Sequence, residues 1–294
     1  MTDLADVLRA AAIETGLELD GADARPVGGG CISAAWELGS EAGPVFLKVN
    51  ARRDSGMFEA EAAGLALLDS AAGLRVPAVL GVGTAGEDAW LLLEWIEPGR
   101  PGRDTEAALG RGLAAQHRMS ADRFGWERDN WIGATPQDNA PTAGWPEFFS
   151  LNRLGAQLDL LEVSGIGGGL IARGRRLVEG VPALLAGHAP PPALLHGDLW
   201  GGNWATDTGG RPFVFDPAVY FGDREADLAM TRLFGGFGPA FYDAYEAAWP
   251  LTAGAALRGD LYNLYHVLNH VNLFGAGYLR QADSLIGRLL AELG

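Results

Sequence analysis

LLHGDLWGGNWATDTGGRPFVFDP, residues 194–217, is the stretch on which the fold turns. It sets His196, Asp198 and Asn203 in the pattern H-x-D-x4-N, and Asp216 follows 13 residues after Asn203. Short apolar runs flank Asp207, Thr208, Gly209 and Gly210, residue types that favour a tight turn, so the segment reads as a hairpin. The midpoint of 203 and 216 falls between Gly209 and Gly210. Folding there sets Asn203 opposite Asp216 at the open end, with Asp198 just ahead of the first strand. The spacing therefore predicts three oxygen-bearing side chains at one place. Asn and Asp, without Cys or a His pair, suit a hard cation such as Mg2+, which keeps waters and binds substrate phosphates.

Working towards the N-terminus, PVFLKVN (44–50) holds the single lysine among 22 Lys and Arg residues. The run reads as a strand with Val45, Leu47 and Val49 on one face and Phe46, Lys48 and Asn50 on the other. Before it, residues 3–15 have helical spacing, and ARPVGGGCISAAWEL reads as two strands around a glycine turn at Gly28, Gly29 and Gly30. After it, SGMFEAEAAGLALLDS is a helix with Phe58, Ala62, Leu65 and Leu68 as its apolar stripe. Glu61 lies on or beside that stripe, where a carboxylate needs a partner. VPAVLGVG and AWLLLEWI supply two more strands, and EPGRPGR (97–103) breaks the pattern. The sequence thus predicts an α+β, two-lobed chain: a small sheet-bearing lobe over 1–96 and a mostly helical lobe over 97–294. In the second lobe helices are expected near 104–119, 147–163, 167–187, 224–234, 238–248 and 254–292, with an irregular Trp-rich stretch over 122–147.

Composition narrows the function. At 294 residues with 48% hydrophobic and 20% charged residues, the chain is an ordinary globular protein able to bury a large core. A net charge of −15 argues against nucleic acid as a partner and requires any anionic ligand to be held by local chemistry. No apolar run is long enough to span a bilayer, and the acidic start lacks the pattern of a signal peptide. One cysteine, Cys31, excludes an internal disulfide framework and suits a reducing, cytoplasmic setting.

These parts occur in the order of the phosphotransfer template. There, the Asp of H-x-D orients the acceptor hydroxyl, the Asn five residues on and a later Asp hold metal, and a strand Lys pairs a helix Glu. GGGCISAAWEL, PVFLKVN, MFEAEAAGL, DNWIGATPQDN, HGDLWGGN and FDPAVYFGDREADLAM together resemble the fructosamine-3-kinases, or ketosamine-3-kinases, relatives of aminoglycoside phosphotransferases and choline kinases. The resemblance covers nearly the whole chain. It implies a protein-kinase-like fold using ATP and Mg2+. Asp198 would be the base and Asn203 and Asp216 the metal ligands. Lys48, held by Glu61, would meet the α- and β-phosphates. Backbone groups of Glu94, Trp95 and Ile96 would meet the adenine, and Gly28, Gly29 and Gly30 would let the backbone approach the phosphates. Trp200 and His196 would lie against the substrate. The acceptor would be the 3-hydroxyl of a ketosamine, free or on a protein amine, with loss of the sugar afterwards. The chain has no G-x-G-x-x-G and no A-P-E, and it carries HGD and FDP where protein kinases have HRD and DFG. These departures argue against a protein kinase acting on Ser or Thr.

Other residues carry weaker expectations. Asn130, Trp131 and Gln137 could rim the acceptor pocket or build a structural loop. His266 and His270, four apart, read as a core helix rather than a metal pair. Asp227 is expected to bind backbone amides beneath the catalytic loop; Asp223 could do the same or face the substrate. In some relatives a cysteine at the position of Cys31 links two subunits, so a monomer or a Cys31-linked homodimer is expected. Two alternatives remain at this point: phosphotransfer to another hydroxyl acceptor such as an aminoglycoside or amino alcohol, and a non-catalytic nucleotide-binding or redox-sensing protein.

Overall fold

The structure, a computed structural model, describes residues 4–28 and 33–294. Gly29, Gly30 and Cys31 lie outside the described residues. Alternation of apolar and polar residues builds a five-stranded antiparallel sheet from β1 (Leu19–Pro26), β2 (Ala34–Ser40), β3 (Val45–Ala51), β4 (Val79–Ala85) and β5 (Asp88–Glu94), in the order β1-β2-β3-β5-β4. Both faces of its centre are covered. Val45, Leu47, Val49, Trp90 and Leu92 meet Val7 and Ala11 of α1 (Leu4–Thr15). Ala89, Leu91 and Leu93 point the other way, into a core shared with Phe58, Leu65 and Leu68 of α2 (Ser55–Ser70). Lys48 pairs in register with Leu91. Directly paired residues share a face, so the pleat aims Lys48 at α2.

That second core continues into the helical lobe without a break, through Leu109 and Leu113 of α3 (Thr105–Gln116) to Tyr262 and Leu268. Next come a short hairpin, β6 (Asn130–Ile132) and β7 (Thr135–Gln137), and a helical run of α4 (Trp145–Phe148), a π-helical segment (Phe149–Gly155) and α5 (Ala156–Ser164). α6 (Gly169–Leu184) then leads to the strand-and-loop segment: β8 (Ala193–Leu195), β9 (Trp204–Thr206), β10 (Pro212–Val214) and β11 (Tyr220–Gly222). α7 (Glu225–Leu233), α8 (Pro239–Ala248), α9 (Ala255–Phe274) and α10 (Leu279–Ala291) close the chain. The expected single helix over 254–292 is two helices. Gly275 sits at φ 84° and ψ −159°, a conformation open to glycine that ends α9 and restarts the chain after one 3-10 turn. Among the described residues, no helix is long and apolar enough to cross a membrane.

Candidate active site

Two backbone devices assemble the site. The first is the hairpin: Val214 pairs with Trp204 and Pro212 with Thr206. The register centres on Gly209, half a residue from the position read off the sequence, so Asn203 faces Phe215 and the Phe215 N–H donates to the Asn203 carbonyl at 3.1 Å. Asp216 is then the first residue beyond the ladder. It stands at φ 55°, one of two non-glycine residues with positive φ among those described. Left-handed backbone is tolerated by Asp better than by most residues, and it turns the carboxylate back over the hairpin's open end.

The second device is the loop 196–199. Gly197 has φ +83°, and a Cβ there would fall 2.0 Å from the Ala218 carbonyl oxygen, so only glycine fits. The Ala218 N–H donates to the His196 carbonyl at 2.8 Å, tying the two loops together. Asn203 Nδ2 donates to the Asp198 carbonyl at 2.9 Å and to Asp198 Oδ2 at 3.2 Å. With its nitrogen committed to Asp198, Asn203 presents Oδ1 as its ligand atom.

Lys48 closes the arrangement from the other lobe. Its Nζ lies 2.7 Å from Glu61 Oε1 and 2.5 Å from Asp216 Oδ1, the latter across 168 residues of sequence. Burial works against the ammonium, but the Asp216 and Glu61 carboxylates outweigh it and hold its pKa above the ordinary value. Asp198 has no such cation. Burial, reinforced by the Asp216 charge, pushes its pKa up to about 7. A carboxylate poised near neutrality is suited to taking up a proton at physiological pH.

The remaining expected residues fall into place less uniformly. Trp200 is 39% exposed beside the loop and lies over Gly202. Glu94 ends β5, its side chain held by Arg75 at 2.6 Å; Trp95 and the buried Ile96 follow it into the segment joining the lobes. Gly28 is exposed, just after β1. His196, expected at the substrate, is instead fully buried and both its ring nitrogens are engaged. Nε2 donates to the Phe215 carbonyl at 3.0 Å and Nδ1 accepts from the Asp198 N–H at 3.3 Å. Burial lowers its pKa, so the ring is a neutral strut that fixes the loop to the residue before Asp216. Asn130 and Gln137 are buried too, donating to the Val219 and Ala218 carbonyls, so they shape the 216–219 loop from behind. Trp131 packs against Gly56 at the start of α2. Asp223 is buried against Tyr262 and His188, both at 2.6 Å, at the wall of a separate cavity lined also by Arg224 and Glu225. His266 is a core residue and His270 is half-buried among Phe234, Phe274 and Tyr278, and the cluster of potential metal-binding side chains among the described residues is elsewhere, at His188, Asp223 and Glu225.

Sequence reasoning missed Arg75 and Asp207. Arg75 bridges Glu94 Oε1 at 2.6 Å and Asp207 Oδ2 at 2.9 Å, joining the end of β5 to the turn of the β9-β10 hairpin. The Gly99 N–H adds a 2.6 Å bond to the Thr206 carbonyl. Asp207 was legible only as a turn residue, because its partner lies 132 positions away.

The donor set fits Mg2+ on its chemistry. Asn203 Oδ1 and the Asp216 carboxylate are hard oxygens that would suit it, and the nearby His196 has both ring nitrogens engaged.

Comparison with known proteins bears on this geometry. A family profile described as fructosamine kinase matches residues 5–292. The chain is 44% identical over 267 residues to a "probable ketoamine kinase" of Synechocystis sp., covering 90% of each chain. It is 43% identical over 272 residues to a chloroplastic protein-ribulosamine 3-kinase of Oryza sativa subsp. indica, covering 91% of this chain and 78% of that one. A crystal structure named for a fructosamine-3-kinase from Haemophilus somnus 129PT superposes with a TM-score of 0.87 at 31% identity, over 98% of this chain and 97% of that one.

Proposed function

The chain belongs to the fructosamine kinase family, and on that premise we propose that it transfers the γ-phosphoryl group of ATP to the 3-hydroxyl of a ketosamine. The acceptor is a fructosamine or ribulosamine, free or carried on a protein amine. The observation that carries the reading is the meeting of Lys48, Glu61 and Asp216 from two lobes, with Asn203 Nδ2 reaching both Asp198 and the Asp216 carbonyl beside them. The names of the relatives support the acceptor class.

In this reading the substrate hydroxyl approaches Asp198, its oxygen attacks the γ-phosphorus, the bond to the ADP oxygen breaks, and the hydroxyl proton passes to Asp198. With its pKa at about 7, Asp198 accepts that proton at little cost, and its hydrogen bonds to Asn203 keep it aimed. Asn203 and Asp216 would hold Mg2+, which when bound would supply charge neutralisation at the phosphate oxygens. Lys48 passes from Asp216 to the α- and β-phosphates while Glu61 keeps it oriented. Gly28, Gly29 and Gly30 give the phosphates backbone access, and the backbone of Glu94, Trp95 and Ile96 meets the adenine where the lobes join, with the boundary at 96/97. Trp200 offers a ring face to the sugar. The 3-phosphate makes the adduct labile: elimination expels it as inorganic phosphate, and water then cleaves the resulting carbon–nitrogen link, so the sugar leaves as a deoxy dicarbonyl and the amine is restored.

Assays of ATP consumption over ribulosamines, fructosamines, aminoglycosides and amino alcohols, with products identified by mass spectrometry, test the proposal. Phosphate on C3 of a ketosamine is expected. Turnover confined to aminoglycosides or amino alcohols would overturn it. The reading extends to a cytoplasmic protein in which oxidation joins two copies through Cys31. Non-reducing gels of peroxide-treated protein that show monomer alone would remove that part.

A further inference from the structure

Beneath the loop that carries Asp198 runs a chain of buried side chains to which the proposed phosphotransfer assigns nothing. Asp227, on α7, accepts the His196 N–H at 2.7 Å and the Gly197 N–H at 2.9 Å. His117, which caps the end of α3, places Nε2 3.1 Å from Asp227 Oδ2 and Nδ1 2.8 Å from the Tyr245 hydroxyl of α8. Arg224 NH1 donates to the same hydroxyl at 3.1 Å; its other hydrogen bonds go to the Trp249 and Pro250 carbonyls, and its guanidinium lies over the Trp249 ring at 4.3 Å. His117, Asp227 and Tyr245 are each 1% exposed or less.

The protons in this chain can be placed from one end. A guanidinium only donates, so the Tyr245 oxygen accepts from Arg224 and its own proton must point at His117 Nδ1. Nδ1 then accepts, which leaves the ring proton on Nε2, directed at the Asp227 carboxylate. Each hydrogen bond from Arg224 NH1 to the loop amides thus has one donor and one acceptor. Elements α3, α7 and α8 meet the loop at this one carboxylate. Asp198 is the residue after the two pinned amides.

We infer that His117, oriented by Tyr245, is a positioning residue for the catalytic loop: it fixes the Asp227 carboxylate that pins the His196 and Gly197 amides and thereby sets where Asp198 meets the acceptor hydroxyl. A side chain that merely filled core volume would not need this directional chain. His117 touches neither the nucleotide slot at Lys48 nor the acceptor, so its loss moves Asp198 and leaves ATP binding alone.

The turnover arm of the test rests on the proposed ketosamine phosphorylation; the exchange arm does not. Amide hydrogen exchange, read by mass spectrometry over residues 195–199, is compared for the wild type, His117→Leu, His117→Gln and Tyr245→Phe, alongside kcat and KM for ATP. In His117→Leu the loop amides exchange at least about tenfold faster, kcat falls about 10- to 100-fold, and KM for ATP stays within about twofold. His117→Gln keeps a donor for Asp227 and recovers most of both readouts. Tyr245→Phe, the mildest change, gives an intermediate effect and decides the matter if the Leu variant does not fold. Loop exchange equal to wild type in Tyr245→Phe, or a Gln variant no better than Leu, overturns the inference, as does faster exchange spread evenly over the whole helical lobe. A wild type that phosphorylates no ketosamine sinks the substrate reading instead, and the exchange comparison still decides the positioning role.

Discussion

Asp198 and Asp227 are two aspartates of one loop system, and their surroundings drive them in opposite directions. Asp198 is raised to about 7 by burial and by the Asp216 charge, with only Asn203 donating to it. Asp227 is more deeply buried, which alone would raise it, yet the hydrogen bond from His117 Nε2, with that from the Gly197 amide, brings its pKa below the ordinary value. Burial is common to both, so burial does not decide. The number of donors aimed at each carboxylate does: two backbone amides and an imidazole keep Asp227 ionised as a fixed support. A single amide and a like charge leave Asp198 able to take a proton. Chemistry and scaffolding are separated here by hydrogen-bond supply.

Four substitutions or titrations can break or sharpen this contrast. The largest effect is expected from Asp198→Asn: kcat falls by about 10³-fold or more, while the Kd for ATP changes less than about twofold by calorimetry. Retained turnover would mean that the poised carboxylate is not the base. Lys48→Arg comes next, with a loss of about 10²-fold. A planar guanidinium does not fit between Glu61 and Asp216 as the compact ammonium does, and near-normal kcat would contradict that. Asp227→Asn then lowers unfolding stability by about 3 kcal/mol in urea titrations, because an amide NH2 is turned towards backbone donors. A loss of less than about 1 kcal/mol would deny Asp227 its supporting role.

The smallest effect is the most diagnostic. The folded pKa of Asp198, about 7, lies above the ordinary carboxylate value of 3.8. The folded state therefore holds an extra proton between those two values, and stability falls as pH rises through that window. Asp198→Asn removes this fall and is expected to be more stable than wild type at pH 8 by about 1 to 2 kcal/mol, part of the shift being relieved by solvent. Asp227 has the opposite sign: its folded pKa is depressed, so its contribution is present at neutral pH and is lost only in acid. In the same titration series, kcat/KM should rise with pH through about 7 in the wild type, and a flat profile from pH 6 to 8 would refute the raised pKa.

Much of the site was readable in sequence because its parts lie on local patterns. The pleat put Lys48 opposite the Leu47 face, the helical stripe located Glu61, and the turn residues of 207–210 predicted the convergence of Asn203 and Asp216. The two lobes followed from the change in periodicity after Ile96. What could not be read were contacts between residues far apart in sequence that obey no spacing rule. His117 and Tyr245 are 128 positions apart, and Arg75 and Asp207 are 132 apart. His196 was misplaced for a related reason: a motif fixes which residues are adjacent, whereas the inward turn of its ring depends on the Phe215 carbonyl arriving from a different strand. The break at Gly275 was hidden within an apolar run whose helical period continues on both sides.

The Arg75 bridge has a mechanical meaning. It clamps the hairpin at its turn, and the hairpin has three rungs between that turn and its open end, where Asn203 and Asp216 stand. Three rungs span roughly 10 Å, and this short arm is pinned near its other end as well, because the Val214 N–H donates to the Arg75 carbonyl at 3.0 Å. Its root is joined through the same arginine to Glu94, where the first lobe hands over to the second. One residue outside the site thereby sets where Asn203 and Asp216 stand relative to the end of β5, through its side chain at the turn and its carbonyl at Val214.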